Sequence, residues 1–296
     1  MDKVSKKIKM IKKRLDMLKK KFNTLGIDGY VVPKNDEYFS EYSQKNRLKI
    51  ISNFSGSAGY AVILKNKNYL FVDGRYTIQA QIESGDNFRI EKLNDIVNCK
   101  LFKNLTLGID PKIFTFEHIN KFFLKRNSIK IINYNLIDQI FNKYSVNSKN
   151  FYSISEQIVG ESYIKKINRL SKILKKEGSD YLFISAPENI AWLMNIRGYD
   201  NPNSPLPNCR LFFTKEKNIF FISESYKLKK LINEKKIRIN QIINPDNIDT
   251  FFDKIKKGKI ITDYKTCSIF HTNIIKKRFK ILSKEDPIYL LKSIKN

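Results

Sequence analysis

Apolar positions Val4, Ile8, Ile11, Leu15, Leu18, Phe22 and Leu25 recur at alternating steps of four and three, with lysines filling the other faces. That period is a single helical stripe, so it predicts an amphipathic first helix packed on a core and closed by Gly26. A membrane-surface helix or a targeting peptide shares this basic amphipathic character, but targeting peptides draw on Arg and Ser where this segment uses Lys. After Gly26 the pattern shortens. Residues 29–33 form a β-prone run stopped by Pro33, and a turn-rich stretch leads to Phe54. Residues 60–64 and 69–72 flank the polar turn 65–68, which predicts a β-hairpin, and a helical pattern returns at Thr77.

The second half repeats the plan. At an offset of 152, Ile11, Leu15, Leu18 and Phe22 fall on Tyr163, Ile167, Leu170 and Leu174, and Gly26 and Asp28 on Gly178 and Asp180. At an offset of 150, Asn68 falls on Asn218, residues 69–72 on 219–222, and Tyr76 on Tyr226. Asp110 and His118 fall on Asp263 and His271 at an offset of 153. Drift of two or three residues is what loop insertions produce. A duplicated unit of about 150 residues is too long for a solenoid repeat and matches one domain. The expected domains are residues 1–150 and 160–296, with the boundary in the Ser- and Asn-dense stretch 147–160.

Composition narrows the classes. Hydrophobic residues at 42% and aromatics at 12% are enough to build two cores, which excludes wholesale disorder. Uninterrupted apolar runs reach only about five residues, against about 20 for a spanning helix. Lys and Arg number 56 against 29 Asp and Glu, a formal charge of +27, yet only ten of the 56 are Arg. Lys is abundant together with Ile, Asn, Phe and Tyr, so the excess reads as compositional drift. Sequence-specific nucleic-acid binding would favour Arg, and only nonspecific polyanion affinity at low salt is expected. Cys99, Cys209 and Cys267 are odd in number and scattered, as reduced thiols of a cytoplasmic protein are. His118 and His271 are the whole imidazole supply and have no carboxylate cluster around them in sequence, so each is expected on the surface or at a helix cap.

Four motifs are candidates for chemistry. Residues 54–59 (FSGSAG) feed a strand, whereas a phosphate loop feeds a helix and a GXXG clamp joins two helices. Asp73-Gly74-Arg75-Tyr76 ends the hairpin and opens a helix: Asp73 is placed as an N-cap, Gly74 permits close approach, and Arg75 is suited to holding a carboxylate. Residues 188–198 carry the single Trp192 on a core helix expected to stop at Gly198. Pro202, Pro205 and Pro207 then stiffen a loop suited to docking. HExxH, GxSxG, zinc spacings and EF-hand loops are missing from the sequence, and carboxylates occur singly, with no acid/base pair.

Taken in order, Val31-Val32-Pro33, Asp36 with Ser40-Glu41-Tyr42, Arg47, residues 54–59, Asp73 to Tyr76 with Gln79-Ala80, and residues 188–198 with the Pro-rich loop resemble the N-terminal portion of aminopeptidase P, the Xaa-Pro aminopeptidases. The resemblance runs through the chain to Lys292-Ser293-Ile294-Lys295-Asn296, which looks like the junction into a catalytic domain. It implies an α/β fold class: two tandem related creatinase-N-terminal-like domains, each a mixed sheet flanked by helices, with the pita-bread catalytic domain absent. In the complete enzyme the resemblance implies two divalent metals, commonly manganese, held by two Asp, one His and two Glu, and acting on peptides with proline at the second position. None of those ligands maps onto this sequence, so catalytic and metal residues are expected to be none, and the chain alone inactive. The resemblance also implies that these N-terminal domains shape the substrate entrance and help hold a homo-oligomer. On that basis Arg75 is the candidate substrate-binding residue. Tyr38 stands where many relatives have His. A standalone interaction module serving a separate catalytic chain, and a basic nucleic-acid binder, are the rival readings.

Overall fold

The computed structural model describes residues 3–40, 42, 45–97, 101–141 and 149–294, and the side chains of α1 from Ile8 onward. Glu41, Cys99, Lys295 and Asn296, singled out above, lie outside the described residues, as does the start of the 147–160 stretch. The chain divides into two compact units, Met1–Ser145 and Val146–Asn296.

The first unit runs α1 (Lys3–Lys19), β1 (Gly29–Pro33), α2 (Arg47–Ser52), β2 (Gly59–Leu64), β3 (Asn68–Val72), α3 (Thr77–Ser84), β4 (Arg89–Lys92), β5 (Thr106–Ile109), α4 (Phe116–Phe122), β6 (Ser128–Ile131) and α5 (Leu136–Ile140). Its sheet has the order β4-β3-β2-β1-β5-β6. The β1-β2 and β2-β3 pairs are antiparallel and the others parallel. The second unit runs β7 (Tyr152–Ser153), α6 (Glu156–Val159), α7 (Tyr163–Lys176), β8 (Tyr181–Ile184), α8 (Pro187–Met194), β9 (Ile196–Arg197), β10 (Arg210–Thr214), β11 (Ile219–Ile222), α9 (Lys229–Asn233), β12 (Ile242–Ile243), α10 (Ile248–Lys254), β13 (Lys259–Thr262), α11 (Ile269–Arg278), β14 (Lys280–Ser283) and α12 (Ile288–Ser293). Its main sheet, β12-β11-β10-β8-β13-β14, repeats the first strand for strand. The β8-β10 and β10-β11 pairs are antiparallel and the others parallel, as in the first unit. The fold is α/β with two tandem mixed sheets flanked by helices.

The helical stripe packs as its spacing requires: Ile11, Leu15, Leu18 and Phe22 are all buried. The helix ends at Lys19, earlier than the stripe, and residues 20–26 continue the apolar face as turns to Gly26, at φ +56°. In the second unit β10 is buried on both faces. Leu211 and Phe213 join the aliphatic core with Leu170 and Leu174, while Phe212 enters an aromatic cluster with Phe252 and Phe279. Such two-sided burial is what helices on both faces of a sheet produce. Phe151 lies in that same aliphatic core.

The duplication reaches individual hydrogen bonds. Asp28 Oδ2 accepts from Thr106 N at 2.9 Å and Oδ1 lies 3.4 Å from Lys65 Nζ. Asp180 Oδ2 accepts from Lys259 N at 3.0 Å and Oδ1 from Lys215 Nζ at 2.5 Å. Each acid ties the start of a central strand to its parallel neighbour. Asp110 Oδ1 accepts from Lys112 N at 2.9 Å and Asp263 Oδ1 from Lys265 N at 2.8 Å. Thr115 caps α4 through His118 N, and Ser268 caps α11 through His271 N. Both histidines therefore stand in a capped first turn, but neither is a surface residue: His118 is half-buried, and His271 is buried against the Phe183 ring with Nδ1 2.8 Å from Ser268 Oγ.

Two expectations about glycine change. The helix carrying Trp192 stops at Asn195, which takes the left-handed conformation at φ +50°, and not at Gly198. The Asn195 amide makes this possible, since Oδ1 accepts from Lys166 Nζ at 2.6 Å and Nδ2 donates to Glu161 O at 2.8 Å. Gly198 instead gives Pro207 room, because an added Cβ would lie 2.8 Å from the Pro207 Cα.

Candidate functional site

The Arg75 corner is built by the exit of β3. Asp73 Oδ1 accepts from Arg75 N at 3.0 Å and from Arg75 Nε at 2.8 Å, so one carboxylate both caps the turn and aims the guanidinium. Hydrogen bonds from the Arg75 side chain and backbone hold the Asp73 carboxyl below the usual carboxylate range. The Arg75 side chain remains 74% exposed and lies over the Tyr76 ring at 5.4 Å. Nothing lies within 4 Å of where a Cβ on Gly74 would be, so the expected close approach is not made within this unit.

The FSGSAG turn is the other wall of this corner. Tyr76 Oη is 3.1 Å from Ser57 Oγ, and its ring meets Phe54 edge-on at 5.9 Å. Ser55 donates from N and Oγ to the two Glu83 carboxylate oxygens at 2.7 and 2.6 Å, and Gln79 Nε2 donates to Ser55 Oγ at 2.9 Å. Two motifs some 20 residues apart in sequence thus form one fixed platform on α3, from which Arg75 projects. Tyr226, the repeat partner of Tyr76, is exposed.

Other flagged residues serve the frame. Asp36 Oδ1 accepts from Tyr38 N at 2.9 Å and Ser40 N at 3.0 Å, closing a turn in which Phe39 adopts φ +58°. Tyr38 is half-buried in that turn. Arg47, at the start of α2, is 1% exposed. Its Nε and Nη2 clasp Asp138 at 2.8 and 2.7 Å, and Nη2 also meets Glu37 Oε1 at 2.6 Å. Burial pushes the Glu37 carboxyl up, but the Arg47 and Lys45 charges outweigh it and hold Glu37 at about 2.

A second carboxylate grouping, which the sequence reading missed, sits in the other unit. Asp286 Oδ2 accepts from Asn189 Nδ2 at 2.8 Å and Oδ1 from Ile288 N at 2.9 Å, while its own N–H donates to Asp263 Oδ2 at 3.1 Å. Burial, reinforced by the Asp263 charge, raises the Asp286 carboxyl to about 6. Lys292 Nζ to Asn189 Oδ1 at 2.7 Å and Tyr289 Oη to Glu188 Oε1 at 2.7 Å complete the tie between α12 and α8. Asp286 accepts from the first amide of α12, Asp263 accepts from the amide of Asp286, and both acids are buried, so the pair fastens the start of the last helix. Cys209 and Cys267 are buried free thiols raised by desolvation, so neither is an activated nucleophile. Among the described residues no three His, Cys, Asp or Glu side chains gather as a metal-ligand set. A dinuclear metal centre does not fit the described residues. No described helix is long and apolar enough to cross a membrane.

The creatinase/prolidase N-terminal domain family matches twice, over residues 14–133 and 142–296. Xaa-Pro aminopeptidase 1 of Dictyostelium discoideum is 29% identical over 97% of this chain and 49% of its own length. The Drosophila melanogaster Xaa-Pro aminopeptidase ApepP is 28% identical over 93% of this chain and 48% of its own. The crystal structure of an X-prolyl aminopeptidase from Caenorhabditis elegans, described as a cytosolic enzyme with a di-nuclear active site, superposes with a TM-score of 0.82 at 22% identity, covering 97% of this chain and 52% of that one. The chain thus spans about half the length of the curated relatives it matches. With two family matches, one on each of two sheets of identical strand order, this chain belongs to the creatinase/prolidase N-terminal domain family as a tandem pair, similar to the N-terminal region of Xaa-Pro aminopeptidases.

Proposed function

We propose that these 296 residues are the non-catalytic N-terminal part of a Xaa-Pro aminopeptidase, made of domains at 1–150 and 160–296, that restricts access of long substrates and holds a homo-oligomer together. The complete protein removes the residue preceding a proline at position two, in the cytoplasm, with two divalent metals, manganese being the expected ion, bound outside this region. The observation that carries the reading is the match to Xaa-Pro aminopeptidases along 97% of this chain and only about half of theirs. Purified chain supplied with manganese and a Xaa-Pro peptide is expected to release no N-terminal residue. Appreciable turnover would overturn the assignment.

Arg75 is the substrate-side residue of this reading. Its Nε is committed to Asp73 while most of the side chain faces solvent, the arrangement that presents a guanidinium edge to a peptide carboxylate. In the complete enzyme, Arg75→Ala is expected to raise KM for peptides with a free C-terminal carboxylate about tenfold, one charge-assisted hydrogen bond's worth, and to leave C-terminally amidated peptides unaffected. Equal effects on both peptide types would remove Arg75 from substrate recognition. The denaturation midpoint of this variant should move little, because the Arg75 side chain is 74% exposed.

A further inference from the structure

The two units carry matching surface cavities, and their difference is informative. In each, the helix leading from the last hairpin strand to the outer parallel strand ends in a left-handed residue: Gly85 at φ +57° after α3, Lys235 at φ +55° after α9. These positions are 150 apart, like Asn68 and Asn218, and each Asn lines the cavity beside its turn. In the first unit the cavity is mixed in sign, with Lys12 and Lys19 facing Asp16 and Asp86. In the second it is about 400 Å³ and lined by Lys235, Lys236 and Arg238 with the amides of Asn218 and Gln241 and the ring of Tyr163, and no carboxylate is among its described lining.

Glycine is the residue that a positive φ favours, and the first unit has Gly85 at this place. Lys235 holds a positive φ of +55°, which costs a side chain bearing a Cβ some backbone energy. The cost places two consecutive lysines on one side of the cavity. Lys236 Nζ is held by neutral acceptors, Ser153 Oγ at 3.2 Å and Asn195 O at 3.1 Å, with the Tyr163 ring 5.0 Å away. Around it stand Glu234, which favours its charge, and Lys166, which opposes it, and desolvation dominates both, bringing the amine down to about 8. Gln241 stiffens the wall, accepting from Arg238 N at 2.8 Å and donating to Ile219 O at 3.1 Å. The result is a polar, preformed recess whose cations outnumber nearby anions.

We propose that this recess of the second unit is a binding site for a small anion bearing two or more phosphates, recognised by Lys235, Lys236 and Arg238. Three cations around one cavity exceed what a single carboxylate or orthophosphate neutralises, and amide donors complete the shell. The probe is inorganic pyrophosphate, titrated calorimetrically into the full chain at about 150 mM KCl, where long-range attraction to a merely basic surface is screened. One saturable site is expected, and its affinity should fall about tenfold or more in Lys235→Gly/Arg238→Gln, a loss of charge-assisted contacts. Glycine suits the left-handed position, so this variant keeps the fold, and its denaturation midpoint should not drop. The matched control, Lys12→Gln/Lys19→Gln, removes the same number of charges from the sister cavity and should leave binding unchanged. A nucleoside diphosphate binding as well as pyrophosphate would support phosphate recognition independent of what the phosphates are attached to. The proposal is overturned if pyrophosphate gives no saturable heat, if both double variants weaken it equally, or if only vesicles carrying phosphorylated inositol lipid bind.

Discussion

Replacing Arg47 by methionine is expected to cost the first unit about 3–5 kcal/mol, the loss seen when one partner of a buried ion cluster is removed and the others are left uncompensated. Arg47 is 1% exposed and faces two carboxylates, Glu37 and Asp138, which approach it from the exit of β1 and from α5. Without the guanidinium these two anions confront one another. Trp192, the sole tryptophan, lies on α8 in the other unit and does not report this loss, so backbone hydrogen exchange in β1, α2 and α5 is the measurement. Adding Glu37→Leu and Asp138→Leu to Arg47→Met should recover most of the deficit, since apolar replacement of a whole ion cluster is commonly neutral or better. An unchanged exchange pattern in Arg47→Met would show that the triad is not a keystone. The pH dependence has a definite sign. Glu37 titrates at about 2 in the fold against an ordinary 4.5, so its contribution is complete above about 4.5 and is lost as pH falls toward 2. The wild-type advantage over Arg47→Met should narrow through that window.

Asp286 is expected to behave in the opposite sense. Its carboxyl is raised from 3.8 to about 6 by burial, so the fold binds that proton more tightly than the unfolded chain does. The stabilisation is fully present below about 3.8 and is lost as pH rises through 6, a swing on the order of 3 kcal/mol. Because Asp286 bonds to Asn189 on the helix that carries Trp192, tryptophan fluorescence during urea unfolding follows the correct unit. The measured quantity is the stability difference between wild type and Asp286→Asn, taken at several pH values. It should shift toward wild type on acidification from pH 7 to 4. A flat difference would mean that Asp286 titrates normally and that the Asp263–Asp286 pair is not electrostatically coupled.

What could be read from the chain was local or repeated. The hairpin of β2 and β3 was legible because a polar turn separates two β-prone runs, and its second copy confirmed the reading at Asn218 and residues 219–222. Paired signals such as Asp28 with Asp180 and Asp110 with Asp263 have a structural basis in each copy: the first pair bonds the amide of a neighbouring strand, and the second closes a turn two residues on. Long-range side-chain chemistry was not legible. Arg47 and Asp138 are 91 positions apart, and nothing in either neighbourhood announces the other. Asp263 and Asp286 look solitary in sequence because a helix and a strand separate them. The helix stop at Asn195 was misplaced for a related reason, since the lysine that stabilises its left-handed backbone comes from α7. At the candidate site, sequence gave Arg75 and the capping role of Asp73, but the junction with Ser55, Ser57 and Glu83 required the fold.

The two sheets also have four outer strands, and their make-up bears on solubility. An unpaired strand edge is a template on which another molecule can add its own backbone, the first step toward aggregation. Here β4, β6 and β14 are each four residues long and carry Arg89 and Lys92, Lys130, and Lys280, so a newcomer must desolvate or repel a cation. The remaining edge, β12, is two isoleucines, too short to register a partner strand. Surplus lysine, unremarkable as composition, thus doubles as a guard against fibril-like stacking, and exchanging Lys130 or Lys280 for valine should be felt first in the concentration at which the protein precipitates.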